Sequence, residues 1–339
     1  MEGIQTDRVT HWFSENIPNV FLPLKFELIA GGRSNMTYLV TDSNKQRFVL
    51  RRPPIGNILE SAHDMGREFK IISCLGPTDI PVAPALGLCR DKSVNDADFY
   101  VMGYVEGEVF EDSVDAQKIP MEKRFPIGFE LVDTMVRLHR IDPEKVGLGD
   151  LGPRTNYAER QVRRWVKQWE NSKAENVKDI EDVGQWLKKN IPAQPETTIV
   201  HGDFRLGNFI LKNHSIAAVL DWELCTLGNP LADIAWLLNW WATADEVEVE
   251  LGKGDQAPTA VGGFASRQEL LEHYRKKSGR DLTAVNYFRA LSHWKLAIIT
   301  QGVYQRFLDG SMGKTGEREL YLFKQSFQRC ARLAKAMIN

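Results

Sequence analysis

At 339 residues, with 43% hydrophobic and 26% charged side chains, the chain has the composition of a soluble globular protein and the length of about two domains. Its formal net charge of −2 leaves no global basic field, so no nucleic-acid partner and no anionic membrane surface is expected. No apolar run nears the roughly 18 residues of a membrane span, the start MEGIQTDRVTHWF lacks a secretory signal, and Cys74, Cys89, Cys225 and Cys330 form no CxxC pair or zinc pattern. Free buried thiols in a reducing, cytoplasmic setting are therefore expected.

Residues 4–17 predict a short amphipathic helix whose Val9, Trp12 and Phe13 pack on the segment that follows. After Pro23 the pattern changes to strands over 26–30, 36–41 and 47–51. The first two are separated by Gly31-Gly32-Arg33-Ser34-Asn35 and the next two by a turn at Asp42-Ser43-Asn44. Alternation from Val49 makes Arg51 the inward residue of the third strand. A helix is predicted over 61–75, then strands over 85–89 and 99–102, followed by the connector Gly103-Tyr104-Val105-Glu106-Gly107.

From Met121 onward the chain reads as mainly helical. Phe125, Phe129, Val132, Met135, Val136 and Leu138 form a core stripe on a long helix ending near His139-Arg140. The helix over 157–171 interleaves Arg160, Arg163, Arg164 and Lys167 with Val162, Trp165, Val166 and Trp169. A solvated face over a packed stripe is the expected reading, and recognition of an anionic acceptor is the other. Gly147 to Gly152 spells GxGxxG, but it follows a helix and precedes Pro153, which rules out a dinucleotide fingerprint. Gly313-Lys314-Thr315 fails as a phosphate loop because Leu308 stands where its first glycine belongs. Residues 234–241 predict a buried helix, and 243–265 a mobile loop flanking the site. Ser266 and Glu269 make a capping box that opens a helix to about Ser278. Two more amphipathic helices are predicted over 284–308 and 316–337.

The chemistry concentrates between Thr198 and Asp233. Three short apolar runs (199–200, 209–211 and 217–220) read as strands, with a turn at Lys212-Asn213-His214-Ser215. The first loop carries His201, Gly202, Asp203, Arg205 and Asn208, and the third strand ends on Asp221, so two carboxylates and an amide come to the ends of neighbouring strands. This grouping suits phosphoryl transfer. Asp203 would orient a hydroxyl and accept its proton, while Asn208 and Asp221 offer hard oxygens to Mg²⁺. Asn208 follows Asp203 by five residues and Asp221 follows it by eighteen, which is how protein kinases divide the same labour. His201 is expected to hold the loop by hydrogen bonding, and Asp233 to tie the loop to the apolar helix it opens. Arg205 can either pair with a loop carboxylate or touch phosphate.

The ordered motif His201-Gly202-Asp203-x-x-x-x-Asn208, Leu220-Asp221-Trp222-Glu223 and Gly228-Asn229-Pro230-x-x-Asp233 resembles the aminoglycoside phosphotransferase/choline kinase family. Within that family the resemblance is nearest to the kinase-like domains associated with acyl-CoA dehydrogenases, and it extends over nearly the whole chain. It implies an α+β, bilobal protein-kinase-like fold, with an N-terminal lobe of antiparallel sheet plus helix over 1–102, a connector over 103–107 and a larger, mainly helical lobe over 108–339. It also implies that Gly31, Gly32, Arg33, Ser34 and Asn35 cover the nucleotide phosphates. Met102 and Tyr104 would shape the base pocket at the connector. The family's third strand usually ends in a lysine that grips phosphate and pairs with a glutamate on the next helix. Arg51 stands there, with Glu68 as its implied partner; arginine keeps the charge but differs in bulk and geometry.

The implied activity is an ATP- or GTP-dependent, Mg²⁺-dependent O-phosphotransferase acting on a small hydroxylated molecule. In similar proteins the C-terminal helices build the acceptor pocket, which makes Trp222, Glu223, Trp240, Tyr304 and Arg306 weak acceptor-side candidates. An aminoglycoside calls for an acidic pocket, and only the run Asp245-Glu246-Val247-Glu248 offers one. The dehydrogenase-linked likeness points instead to a hydroxy acid or a hydroxyacyl-CoA. The alternatives are a catalytically silent nucleotide-binding module, suggested by Arg51 in place of lysine, a protein kinase, and a metallohydrolase built on His201, Asp203 and Asp221. The missing activation segment argues against a protein kinase, and the single well-placed histidine argues against a transition metal.

Overall fold

The structure is a computed structural model that describes residues 1–30, 35–55, 64–172, 175–246, 256–311 and 316–338. The chain opens with α1 (Thr6–Asn16), β1 (Lys25–Ala30), β2 (Met36–Thr41), β3 (Arg47–Arg52) and α2 (Met65–Leu75). There follow β4 (Ala85–Cys89), the one-turn α3 (Lys92–Asn95), β5 (Phe99–Gly103), the one-turn α4 (Ser113–Ala116) and α5 (Met121–Arg140). Next are α6 (Tyr157–Ser172), α7 (Lys178–Lys189), β6 (Thr198–Val200), β7 (Phe209–Lys212), β8 (Ser215–Val219) and β9 (Thr226–Gly228). The chain closes with α8 (Leu231–Asn239), α9 (Arg267–Ser278), α10 (Val285–Leu308) and α11 (Glu317–Ala336).

Two compact units form. The first comprises Met1–Phe110, Glu144–Leu148 and Asn208–Leu224, and the second Glu111–Pro143, Gly149–Gly207 and Cys225–Asn339.

In the first unit an antiparallel sheet runs in the order β1-β2-β3-β5-β4. Strand alternation sends Met36, Tyr38 and Val40 of β2 and Phe48 and Leu50 of β3 to one face. There they meet Val9 and Phe13 of α1 together with Phe26, Phe99 and Val101. Phe13 stands edge-on to both Phe26 and Phe48, at centroid distances of 6.2 and 6.1 Å. Each such fully buried side chain contributes about 2–3 kcal/mol, which is what fastens the N-terminal helix to the sheet. The opposite face carries Arg51 and Tyr100, which are direct cross-strand partners. The β7–β8 hairpin also belongs to this unit. It turns through Asn213 and His214, both in the left-handed region as a two-residue hairpin requires.

The second unit is mainly helical. Its α5 buries Ile127, Leu131, Val132, Met135 and Leu138. Phe125, assigned to that stripe from sequence, is exposed instead, and Phe129 is half-buried, stacked on His273 at 4.5 Å. Of the three strands of the central stretch, the second and third pair through the expected turn, and the first takes a partner outside them. The second and third form the β7–β8 hairpin, while β6 pairs with β9. That last strand is only three residues long and was not legible; Gly228 on it gives the Tyr157 ring and Val200 room to approach.

Within 243–265, residues 247–255 lie outside the described residues; Ala244–Glu246 are exposed, while the stretch from Gln256 to Ala260 is packed rather than loose. Thr259 and Ala260 are buried, and the Thr259 hydroxyl donates to the Ala242 carbonyl at 2.8 Å. The capping box at Ser266 and Glu269 is present, and Gly279 closes α9. All four cysteines are free thiols; Cys89 and Cys225 are buried, while Cys74 and Cys330 are half-buried. Among the described residues no helix is long and apolar enough to cross a membrane.

Candidate functional site

In the first unit three charged side chains meet. Arg51 reaches Glu68 with its Nη1 at 3.4 Å and Asp221 with its Nη2 at 2.9 Å. Helix α2 starts at Asp64, whose carboxylate accepts the Arg67 N–H. It then buries Met65, Glu68, Ile72 and Leu75 on one face, so Glu68 is a carboxylate set in an apolar stripe. Its Oε2 accepts the Tyr100 hydroxyl at 3.0 Å and its Oε1 accepts the Asn35 amide at 2.8 Å. Burial pushes the Glu68 carboxyl up, while Arg51 and the Tyr100 and Asn35 hydrogen bonds pull it back. For Arg51, burial opposes the charge, yet Tyr100, Glu68 and Asp221 outweigh it and hold the guanidinium above its ordinary range. Arg52, one residue on, turns to the other face and donates to the Gly3 carbonyl.

Asp221 follows the β7–β8 hairpin and takes the left-handed region, with φ of 63°. That turn redirects the chain from the hairpin into the 3₁₀ turn Trp222–Leu224. Asn208 is buried at the end of another 3₁₀ turn, Leu206–Asn208. Its carbonyl accepts the Leu220 N–H at 2.8 Å, so the backbone beside Asp221 is tied to Asn208.

The Asp203 loop is built inside the second unit. The Asp233 carboxylate is fully buried in the first turn of α8 and accepts the backbone N–H of His201 at 2.8 Å and of Gly202 at 2.9 Å. Gly202 sits at a φ of 85°, a bend only glycine makes cheaply. The Asp203 N–H donates to His201 Nδ1 at 3.2 Å, so His201 and Asp233 both shape the loop, as the sequence suggests. Burial raises the cost of the Asp233 charge, but the His139 hydrogen bond and the loop N–H groups hold its carboxyl below the ordinary range. His139 Nε2 lies 3.1 Å from Asp233 Oδ2 and His139 Nδ1 lies 3.0 Å from the Tyr274 hydroxyl. Burial keeps this imidazole neutral.

Among the described residues, Trp236 and Arg205 approach the Asp203 carboxylate and Lys295 acts on it electrostatically. Trp236 Nε1 donates to its Oδ1 at 2.6 Å, and Arg205 Nε lies 3.6 Å from the same oxygen. The Arg205 guanidinium also lies 5.5 Å from the Trp240 ring centroid. Arg205 thus pairs with the loop carboxylate, one of its two expected roles. Lys295 belongs to α10, and its ammonium lies 5.0 Å from the Trp236 ring and 5.7 Å from that of Trp165. Burial lowers its pKa to about 8, with Asp203 opposing that shift and Arg164 adding to it.

Sequence reasoning missed Trp236, Lys295, Tyr100 and the His139–Tyr274 support. The signal for Lys295 was a cation set between the buried Trp294 and Ala297 of α10. Of the expected phosphate-covering loop, Gly31, Gly32, Arg33 and Ser34 lie outside the described residues; Asn35 gives its amide to Glu68. Met102 is buried on β5, and Tyr104 carries the Arg47 guanidinium 4.0 Å above its ring. Trp222 is a core residue bonded to the Val219 carbonyl. Val247 and Glu248 of the acidic run, and Gly313-Lys314-Thr315, fall outside the described residues. Among the described residues no three histidine, cysteine or acidic side chains are grouped to hold a metal.

A sequence profile described as the phosphotransferase enzyme family matches residues 25–270. The chain is 36% identical over 305 residues to acyl-CoA dehydrogenase family member 11 of Mus musculus, covering 88% of this chain but 38% of that protein. It therefore spans well under half of that relative. A crystal structure of a Ralstonia eutropha protein named for the aminoglycoside phosphotransferases superposes with a TM-score of 0.82 at 29% identity, covering 98% of each chain. A thermostable mutant of aminoglycoside phosphotransferase APH(4)-Ia, solved with ADP and hygromycin B, aligns with a TM-score of 0.61 at 14% identity over 96% of this chain and 98% of that one. The last is a likeness of fold alone. The antiparallel sheet with its helix, followed by the helical C-terminal part, is the kinase-like fold of these enzymes.

Proposed function

The chain belongs to the phosphotransferase enzyme family, and from that premise we propose that it moves the terminal phosphoryl group of ATP or GTP onto the hydroxyl of a small molecule. The observation that carries the reading is the Arg51 guanidinium held between Glu68 and Asp221. We read this guanidinium as the permanent positive charge that a triphosphate needs, with a carboxylate beside it. Positioning and charge neutralisation supply most of the catalysis in this kind of transfer.

Asp203 takes the acceptor's proton in this scheme. Its carboxylate is oriented by the Trp236 indole N–H, and its loop is fixed by Asp233, so little reorganisation is needed when the hydroxyl arrives. Arg51 grips phosphate oxygens, with Glu68 setting its direction. Asp221 and Asn208 fit Mg²⁺ as hard oxygen donors. The Asp221 side chain is 26% exposed, and its Oδ2 has no hydrogen-bond partner among the described residues. One or two carboxylates, with water and phosphate completing the shell, suffice for this ion. Mg²⁺ held there would offset charge on the triphosphate.

The relatives named as acyl-CoA dehydrogenases favour a hydroxy acid or a hydroxyacyl-CoA as acceptor over an aminoglycoside. The test is coupled ADP or GDP formation with Mg-ATP or Mg-GTP over a panel of hydroxylated metabolites. Transfer to at least one hydroxyl is expected. Thermal stabilisation by nucleotide without transfer to any acceptor would leave only the catalytically silent module.

A further inference from the structure

The mechanism proposed above gives Lys295 no role. A small cavity in the second unit is lined by Gly202, Trp236, Trp165, Tyr157, Gln161, Ser292 and Lys295. Gly202 is the residue before Asp203, and Trp236 is its indole donor. The half-buried ammonium of Lys295 lies against the faces of Trp165 and Trp236 and has no hydrogen-bond acceptor among the described residues. Ring faces offset part of the lost hydration of an ammonium, but they do not satisfy its three N–H donors.

We infer that Lys295 is the anchor for an acyl oxygen of the phosphate acceptor, either the carboxylate of a hydroxy acid or the thioester carbonyl of its CoA-activated form. The inference rests on the phosphotransferase reading above and assigns a binding residue to the acceptor chemistry that reading favours.

Three features support it. The cavity volume of about 30 Å³ is that of one or two waters, room enough for a single acyl oxygen beside the ammonium. Cations collect here: Arg205 lies at Asp203, and Arg164 of the basic helix α6 acts on Lys295 electrostatically. A polycationic acceptor would be repelled, whereas an oxygen-rich acyl group would be held. Finally, a single indole joins the two functions, its N–H on the Asp203 carboxylate and its face against the Lys295 ammonium. A short chain bearing a hydroxyl at one end and an acyl oxygen at the other spans that ring. The lowered pKa of Lys295 agrees, since an incoming carboxylate supplies the missing acceptor and restores full protonation.

The experiment compares hydroxy acids of graded chain length in three forms: free acid, CoA thioester, and the alcohol with methyl in place of the acyl group. Each is assayed for Mg-ATP-dependent phosphorylation with wild type, Lys295→Met and Lys295→Arg, and the free acids are titrated calorimetrically into the same proteins and into Asp203→Asn. An acyl form is expected to exceed its alcohol at least tenfold in kcat/KM. Lys295→Met should raise the acceptor KM about 10- to 100-fold, as expected for the loss of one charge-assisted hydrogen bond, and leave the KM for ATP unchanged. Lys295→Arg should recover part of that loss, and Asp203→Asn should still bind the acid. The free-acid and thioester arms tell the two sources of the oxygen apart. Phosphorylation that is indifferent to Lys295, or equal for acid and alcohol, overturns the inference and spares the kinase reading. Acid binding that depends on Lys295 without any phosphorylation sustains the anchor and removes the kinase reading. Absence of both binding and transfer overturns the two together.

Discussion

The Trp236 indole N–H and the Asp203 carboxylate are joined by a 2.6 Å hydrogen bond, which makes a helix α8 side chain the orienting partner of the proposed base. Trp236→Phe keeps the ring that Lys295 faces and deletes the donor. We expect kcat to fall about tenfold or more, as for loss of one hydrogen bond to a charged group, with the KM for ATP unchanged. Steady-state phosphotransfer checks this; an unaltered kcat would leave Trp236 a packing residue only.

Arg51 balances two acids of the first unit, with side-chain exposures of 12% for itself and 3% for Glu68. Arg51→Met strands those charges and should destabilise the protein by about 3 kcal/mol, read from denaturant unfolding, and abolish saturable ATP binding. Arg51→Lys keeps one charge but loses the two-pronged reach to Glu68 and Asp221, and so should fall between Met and wild type in both measurements. Full activity in Arg51→Met would remove it from the phosphate grip.

Asp233 is buried, accepts two loop N–H groups and lies against His139. Asp233→Asn turns part of that acceptor into a donor facing other donors. A loss of about 2–3 kcal/mol in stability is expected, together with a drop in turnover because the Asp203 loop loses its tether. Thermal unfolding at neutral pH with parallel kinetics tests both; a stable variant with unaltered turnover would contradict the tether.

His293 gives the pH dependence. Its pKa is lowered from 6.5 to about 3, first by burial and then by Arg289, Arg329 and Arg267. Below pH 6.5 the unfolded chain therefore binds a proton that the folded chain refuses, and stability falls as pH falls toward about 3. Near pH 5 this one group contributes a slope of about 1.4 kcal/mol per pH unit. In His293→Leu the slope of unfolding free energy against pH should be shallower by that amount; an unchanged slope would contradict the assignment.

Much of this molecule was legible in its residues, for reasons that can be named. Strand β2 shows clean alternation and helices α1, α2 and α5 show helical stripes, because one face of each is buried. Glu68 was named through the family resemblance, as the glutamate that pairs with the cation of the third strand; that it interrupts the buried stripe of Met65, Ile72 and Leu75 is seen only in the fold. The Asp203, Asn208 and Asp221 spacing survives in the chain because local turns fix it. What was not legible came from contacts far apart in sequence. Strand β9 is too short to show a period, and it forms because Thr198–Val200 needs a partner. Trp236 looked like one more apolar helix residue, and only the fold brings its N–H to Asp203. Phe125 fits the helical period of α5, but that period does not mark where the buried stripe ends, and the ring is left exposed.

The most direct test of the whole account is single-turnover phosphoryl transfer by Asp203→Asn in the presence of Mg-ATP and an acceptor that wild type phosphorylates. Loss of a positioned base predicts a fall of about 10²- to 10⁴-fold in the transfer rate, with ATP affinity within a factor of about two of wild type because the nucleotide grip is assigned to other residues. Transfer at the wild-type rate in that variant would contradict Asp203 as the base and, with it, the mechanism proposed here.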